Sequence, residues 1–388
     1  FARLYRNDAG AFVDSGVGIA AVSSSAVAWV DYNNDGFLDL AVTGTTDGLP
    51  TGASTIIYRN DGQGNLNNSG IDNIPGFYNG SISFGDYDND GDSDLAFIGT
   101  TNGFSTGVTT QIYRNKGNGT FENSNITGFK AVAWGSINWG DFDNDSDLDL
   151  LVTGWDSTQA VTKIYRNDLV ADSIVFTDLN ADLAQSNEGK ALWGDYNNDG
   201  NLDILLTGRN DSLRKVYSFV YQGDGAGGFN ILAADTSAKT ITEAQVSTAA
   251  WGDFDNDGDL DIVIAGLDST SFDGQTKLYR NGTSSFAANV KPTAPSGLTA
   301  AINPAQTNTV VINWNASSDG TTPTNALTYN LRVGLKPNEV QTLSPLSDAN
   351  SGIRQVVGQG NVFGGTTWTL RNLDWGKTYY ISVQSIDN

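Results

Sequence analysis

The chain has 388 residues, a net charge of −23, 45 glycines and 8 prolines, and no histidine, cysteine or methionine. That composition excludes His- or Cys-dependent catalysis, zinc fingers and disulfide frameworks, and its acidity is the wrong sign for a nucleic-acid partner. With 39% hydrophobic and 10% aromatic residues the chain reads as folded, in two or three domains, and no apolar run reaches the ~18 residues of a membrane helix.

From the first residues onward, the sequence repeats itself. LYRN at 4 returns as IYRN at 57, 112 and 164, as a degenerate VYQG at 220, and as LYRN at 278. In phase with it, the nine-residue string DYNNDGFLD at 31–39 recurs from 86, 141, 195 and 253, at intervals of 55, 55, 54 and 58 residues. Short alternating stretches such as AVAWV (26–30) precede each acidic string, and apolar runs such as LDLAVTG (38–44) follow it. Both have strand length, not helix length. The YRN segment supplies a third strand, and a turn rich in Asn and Gly leads to a short fourth. Four strands in roughly 55 residues make one blade of a propeller. The fold class is therefore all-β: five complete blades plus a partial N-terminal one that holds LYRN and Phe12. A chain that opens inside a blade, without a recognisable signal peptide, reads as part of a parent with six or seven blades. An EF-hand would need flanking helices, which the sequence lacks.

The spacing D-x-[DN]-x-D-[GS]-x-x-D sets oxygen ligands at positions 1, 3, 5 and 9 and a backbone carbonyl at position 7, with a glycine turn between them. In chain order the candidate metal ligands are Asp31, Asn33, Asp35, Phe37 by its carbonyl, and Asp39; Asp86, Asp88, Asp90, Asp92 and Asp94; Asp141, Asp143, Asp145, Asp147 and Asp149; Asp195, Asn197, Asp199, Asn201 and Asp203; and Asp253, Asp255, Asp257, Asp259 and Asp261. Polar hairpin turns explain one such loop, but not five with carboxylates in fixed register. Three or four like charges in a single turn repel one another unless a cation is bound, and six to eight oxygens suit calcium better than magnesium. About five Ca2+ ions are expected. Ser146 in place of glycine marks the third loop as the one expected to be distorted. The recurring aromatics at position 2 and two residues before the loop read as packing between blades, whereas Trp134 and Trp155 break the repeat and are candidates for a surface role.

These strings resemble the FG-GAP/VCBS repeats, the propeller class that includes the integrin alpha-subunit head, over residues 1–290; WGDFDNDGDLDIVIAG at 251–266 is close to the family pattern. The literal FG and GAP words are absent, so the bacterial VCBS-like branch is nearer. The resemblance implies structural calcium and an adhesive or ligand-binding role at the cell exterior.

At 291–297 (KPTAPSG) a proline-marked linker ends the repeats. Residues 298–388 resemble a fibronectin type III β-sandwich, with Trp314 on the second strand, Tyr329 on the third, and Leu373 with Tyr379 matching a tyrosine corner. The segment stops after its sixth strand, which implies further chain in the parent. Together these features read as a secreted or cell-surface bacterial protein: a non-enzymatic, calcium-stabilised adhesion scaffold. Its ligand, a surface protein or glycan, would meet the variable loops opposite the calcium sites. No nucleic acid and no membrane span are expected, and self-assembly into a larger surface structure is open. The alternatives are a carbohydrate-active enzyme or its polysaccharide-binding accessory module, and an architectural filament component.

Overall fold

The computed structural model describes residues 1–102, 107–170, 173–232, 241–255, 257–282, 290–303, 306–320, 322–345, 347, 354–355 and 359–387. Among these there is no α-helix, only two three-residue 3-10 turns at Pro50–Gly52 and Thr324–Ala326.

A hairpin of β1 (Tyr5–Asp8) and β2 (Ala11–Asp14) comes first. Its strands pair only with each other and every residue in them is exposed, so the expected half blade stands apart from the sheets that follow. Sheet one is β3 (Ser23–Val30), β4 (Asp39–Thr45), β5 (Ala53–Asn60) and β6 (Leu66–Asn68). Sheet two is β7 (Tyr78–Gly85), β8 (Asp94–Thr100), β9 (Val108–Asn115) and β10 (Phe121–Asn123). Sheet three is β11 (Ala133–Gly140), β12 (Asp149–Trp155), β13 (Ala160–Val170) and β14 (Ser173–Asp178). Sheet four is β15 (Ala191–Gly194), β16 (Asp203–Asn210), β17 (Lys215–Gly223) and β18 (Phe229–Ile231). Sheet five has three described strands, β19 (Ala244–Gly252), β20 (Asp261–Asp268) and β21 (Gly274–Tyr279). Its expected fourth strand falls on residues 283–289, outside the described residues.

All five sheets are antiparallel meanders, as in a β-propeller, and the first strand of each packs on the first strand of the next. The second strands β4 and β8 are buried along their whole length, which is why they read as unbroken apolar runs and not as alternating ones. Between sheets, the recurrent aromatics pack as expected. Trp139 stacks on Tyr87 of the preceding sheet at 6.0 Å, and Trp193 on Phe142 at 6.2 Å. Gly85, Gly140 and Gly194 lie directly beneath the next sheet's Trp139, Trp193 and Trp251, where a Cβ would collide with the indole. At the two ends of the series the same positions lack that cover: Trp29 is 42% and Phe254 53% exposed.

Each first strand begins with a bulge. The register between the first and second strands slips at Ser23/Ala26, Tyr78/Ser81, Ala133/Ser136 and Gln245/Thr248. In sheet four the isolated Asn187–Arg209 bridge precedes the regular ladder from Ala191. The bulged residue is left-handed in all five: Ser24, Asn79, Trp134, Glu188 and Val246 have φ between 47° and 53°. Bulges of this kind bend the strand and re-aim its side chains.

After the fifth sheet, β22 (Ser296–Asn303), β23 (Gln306–Asn315) and β25 (Thr367–Leu370) form one small sheet, and β24 (Thr328–Gly334) and β26 (Tyr380–Ile386) another. They share one core of Ile312, Trp314, Tyr329, Leu331, Val333, Trp368 and Leu370. The Tyr379 hydroxyl accepts the Asp374 N–H at 2.8 Å, the bond a tyrosine corner requires.

This C-terminal unit rests on the acidic-loop end of the propeller. The Ser344 N–H donates to Asn34 Oδ1 at 3.1 Å, the Arg371 N–H to the Asn89 carbonyl at 2.9 Å, and the Ser146 hydroxyl to the Thr367 carbonyl at 3.1 Å. The Asn325 side-chain amide bonds the Asp199 carbonyl, and Phe363 packs against the core shared by sheets two and three.

Candidate metal centres and the axial cavity

Each acidic loop joins the first and second strands of its sheet. The position 1 carboxylate closes the turn from inside: Asp86 accepts the N–H groups of Asp90 and Gly91 at 2.9 and 2.8 Å, and Asp31, Asp141, Asp195 and Asp253 do the same for their own loops. Ser146 takes the glycine's place at φ 75° and still donates its N–H to Asp141 at 3.0 Å, the bond the glycine makes in the other loops. A position 9 oxygen receives the position 2 N–H, as in Tyr87 to Asp94 at 3.2 Å and Phe142 to Asp149 at 3.0 Å.

The structure brings together positions 1, 3 and 9. Asp86, Asp88 and Asp94; Asp141, Asp143 and Asp149; and Asp253, Asp255 and Asp261 each place one oxygen within 4.8 Å of the other two. One buried oxygen of each position 3 carboxylate, Oδ1 of Asp88, Asp143 and Asp255, has no hydrogen-bond partner. An acceptor-only oxygen facing two other carboxylates is suited to a cation and to no protein donor present, so the donor set fits a hard divalent ion. Loops one and four carry Asn33 and Asn197 at position 3, whose Oδ1 atoms accept the N–H of Asp35 and Asp199 at 3.0 and 3.1 Å.

The position 5 carboxylates stand outside those three clusters and meet the arginine of the YRN motif. Arg59 pairs with Asp35 at 3.1 Å, Arg114 with Asp88 and Asp90 at 2.6 Å each, and Arg280 with Asp255 and with Asp257, the latter at 3.0 Å. In loop four Gln222 replaces the arginine and lies 3.5 Å from Asp199, while Arg166 pairs with Asp168 at 3.1 Å. At position 7, Asp92, Asp147 and Asp259 accept a hydrogen bond from the preceding sheet: Asn34 to Asp92 at 3.0 Å, Asn89 to Asp147 at 2.9 Å and Asn198 to Asp259 at 2.8 Å. Phe37 at this position is 44% exposed, and Asn201 donates its N–H to Asp199 at 2.9 Å.

Two residue types missed by the sequence reading tie the loops of neighbouring sheets to one another. The position 4 asparagines Asn34, Asn89, Asn144 and Asn198 are left-handed, with φ of 52° to 58°, and each donates its amide to the position 6 carbonyl of the next sheet at 3.0 to 3.2 Å. The YRN asparagines bond in the other direction. Asn115 donates its N–H to Asp94 at 2.7 Å and its side chain to the Tyr32 carbonyl of the sheet before at 2.6 Å; Asn167 and Asn281 repeat the pattern onto Tyr87 and Tyr196. The YRN tyrosines Tyr58, Tyr165, Tyr221 and Tyr279 accept a backbone N–H from the segment that leads into their own sheet. Their repetition in every copy was the available signal.

Burial pushes these carboxyls up. Asp31 and Asp195 rise to about 6 and Asp39, Asp141 and Asp203 to about 7, each mainly by desolvation. Asp149 rises to about 10, and Asp86 and Asp94 go well above the ordinary value because neighbouring carboxylates add to desolvation. The fifth loop is the open one: Phe254 beside it is 53% exposed, and the C-terminal contacts described above fall on loops one to four. A dication removes the cost of ionising these groups and needs them ionised.

At the opposite end of the first strands, the five bulges surround a cavity of about 830 Å³. Ser25, Trp134, Glu188, Lys190, Ser247 and Thr248 are among its lining residues, and Trp134 is half-buried there. The bulges are tied from one sheet to the next: the Glu188 N–H donates to the Trp134 carbonyl at 2.6 Å, and the Ser247 N–H to the Glu188 carbonyl at 2.9 Å. Trp155 lies instead at the end of β12, paired with Ala133 and Ala160.

An FG-GAP-like repeat family matches residues 99–152 and 195–264, so the chain carries FG-GAP-like repeats. No curated protein matches the sequence. Among solved structures the chain is similar to an α-L-arabinanase of Penicillium chrysogenum complexed with arabinobiose, at 10% identity and a TM-score of 0.35, over 77% of this chain and 90% of that one. It is also similar to an exo-β-1,3-galactanase of Phanerochaete chrysosporium with galactose, at 10% identity and a TM-score of 0.34, over 94% and 92%. The V. cholerae biofilm matrix protein Bap1 matches at 12% identity and a TM-score of 0.30, over 93% of this chain and 61% of that one. The expectations of a non-enzymatic adhesion scaffold and of no enzyme are not borne out by this set, two of whose three members are an arabinanase and a galactanase. Among the described residues, no helix is long and apolar enough to cross a membrane.

Proposed function

We propose that this chain is a carbohydrate-active propeller: a ring stiffened by divalent cations that binds polysaccharide at the end away from its acidic loops. The observation that carries this reading is the two-sidedness of the ring. The C-terminal unit covers the loop end, and the 830 Å³ cavity at the other end lies open with an indole and several hydroxyls on its wall. A cavity of this size that mixes apolar and hydrogen-bonding groups suits a small ligand or a few sugar rings. The solved enzymes named above act on or hold sugars, and the reading extends that class to this chain.

The ion we assign to the loops is calcium. Positions 1, 3 and 9 supply carboxylate or amide oxygens, position 7 its carbonyl, and position 5 the further oxygen that would turn inward from its arginine. About five ions are expected, with a structural role: bound, they supply positive charge that lets the buried carboxylates ionise together. We further read residues 1–290 as the propeller and 298–388 as a fibronectin type III-like sandwich, joined by 291–297, in a protein that works outside the cell where calcium is plentiful.

The test is affinity electrophoresis and reducing-end release with a panel of plant and bacterial polysaccharides, in calcium and in chelator. Retarded migration on at least one polymer in calcium is expected. No retardation and no release across the panel would overturn the reading.

A further inference from the structure

Resting on that reading, we infer that the axial cavity is selective for an anionic polysaccharide, with Lys190 as the partner of a carboxylate or sulfate on the sugar and Trp134 as the wall against which a ring lies. Two charged side chains line the cavity, Glu188 and Lys190. They are not equivalent. The Glu188 carboxylate is paired with Arg209 at 3.0 Å, a guanidinium it shares with Asp211 at 3.2 Å. Lys190 has no ion pair among the described residues, although its backbone N–H is fixed to the Thr207 hydroxyl at 3.1 Å. Desolvation lowers the Lys190 pKa with no opposing charge to offset it. A partly buried ammonium without a counter-ion is costly in the free protein, and an incoming anion repays that cost.

The fold explains why this lysine stands here. Sheet four has the longest irregular stretch before its ladder, from the bridge at Asn187 to Ala191, and the left-handed Glu188 at φ 50° turns the chain so that the next residues face the axis. Gly189, between the two charged residues, admits no Cβ, because one would overlap the Thr207 carbonyl. Trp134 reaches the same space from sheet three through the same bulge, at φ 53°. Ser24 and Ser25 add hydroxyls from sheet one, and Thr248 from sheet five. Sugars are recognised by an apolar ring face together with hydroxyl contacts, and Trp and Ser/Thr supply both.

The net charge of −23 opposes an anionic ligand only weakly at this end. Of the 44 acidic residues, 21 lie in the five loops. Lys190 stands five residues before Asp195, at the start of the shortest first strand, which at about 3.3 Å per residue is at most ~17 Å. That is about two Debye lengths at physiological ionic strength, so the loop charge is weakened at the cavity.

The experiment is isothermal titration of the calcium-loaded full chain with three short ligands: an oligogalacturonate, a sulfated galacto-oligosaccharide and a neutral galacto-oligosaccharide. At least one anionic ligand should bind about tenfold or more tighter than the neutral one, the factor expected of one charge-assisted contact. The two anionic arms distinguish carboxylate from sulfate. Lys190→Gln should bring that preference close to one, and Trp134→Ala should weaken all ligands that bind. Ser25→Trp, at an exposed position on the rim, should block binding while leaving the melting temperature unchanged; it serves as the second probe should Lys190→Gln fail to fold. Equal affinity for neutral and anionic ligands, or a preference that survives Lys190→Gln, overturns the anion assignment and leaves the polysaccharide reading standing. Binding that survives Ser25→Trp but disappears in chelator places the sugar on loop-bound calcium and overturns the cavity. Absence of binding by all three here, together with no retardation on the wider polymer panel, removes both readings.

Discussion

Asn89 shows how one side chain ties sheets together. Its left-handed backbone, φ 57°, aims the amide at the Ser146 carbonyl and the Asp147 carboxylate of the next sheet, at 3.2 and 2.9 Å, while its own carbonyl takes the Arg371 N–H. Asn89→Ala loses both side-chain bonds and puts a residue that tolerates the left-handed region less well than Asn at φ 57°, so the expected loss is about 2 to 4 kcal/mol. Asn89→Gly relieves the backbone and should recover only a part; denaturant melts of the two variants measure the split. At this scale the carboxyls also set a pH dependence. Folded values of about 6 to 7 for Asp31, Asp39, Asp141, Asp195 and Asp203 stand above the ordinary value, so the metal-free fold binds more protons than the unfolded chain. The stability they contribute is present in full below about pH 4 and is lost as pH rises through 6 to 7. In chelator, therefore, the melting temperature should fall between pH 5 and 8. In calcium the trend should reverse, because the ion binds the ionised form; parallel curves in the two buffers would refute the metal assignment.

Among the elements, the five loops share a pattern but differ in cover. Asp31, Asp86, Asp141 and Asp195 are all under 8% exposed, and the C-terminal unit touches loops one to four. Loop five has no such contact described, and its aromatic Phe254 is 53% exposed. Ions there should exchange first. Partial chelation followed by hydrogen exchange should expose amides of β19 and β20 before those of β7 and β8; simultaneous loss in all sheets would show that cover does not govern exchange. The repeat was legible to this level because a propeller blade is a local object: its period, its loop and its YRN strand lie within roughly 55 residues. The free-standing β1–β2 hairpin was not legible, since LYRN and Phe12 look the same whether or not inner strands stand beside them.

For the whole molecule, the acidic loops and the architecture are coupled through the C-terminal unit. The Ser344 and Arg371 N–H groups donate to loop residues Asn34 and Asn89, so loosening the loops loosens the docking. Chelation should lower the melting temperature sharply, since an ion at a hundred times its dissociation constant stabilises the fold by about 2.7 kcal/mol per site. It should also speed exchange at the Ser344 and Arg371 amides ahead of the global transition. A melt unchanged in excess chelator would end the calcium reading.

What the sequence determined by itself was whatever a repeat writes in each copy: strands, their order, the acidic loops and the aromatics that stack between neighbouring sheets. The recurring Asn and Arg positions were written there too, with Gln222 and Gly223 in place of the YRN pair in the fourth copy, but their partners lie in other sheets or at the far end of the same one, and spacing alone does not name them. Tertiary structure alone decided which end of the series of sheets is covered and which is open. The bulge residues Ser24, Asn79, Trp134, Glu188 and Val246 share no residue type, so no motif announces them. They meet only because five first strands converge on one axis, and what they have in common is a backbone angle.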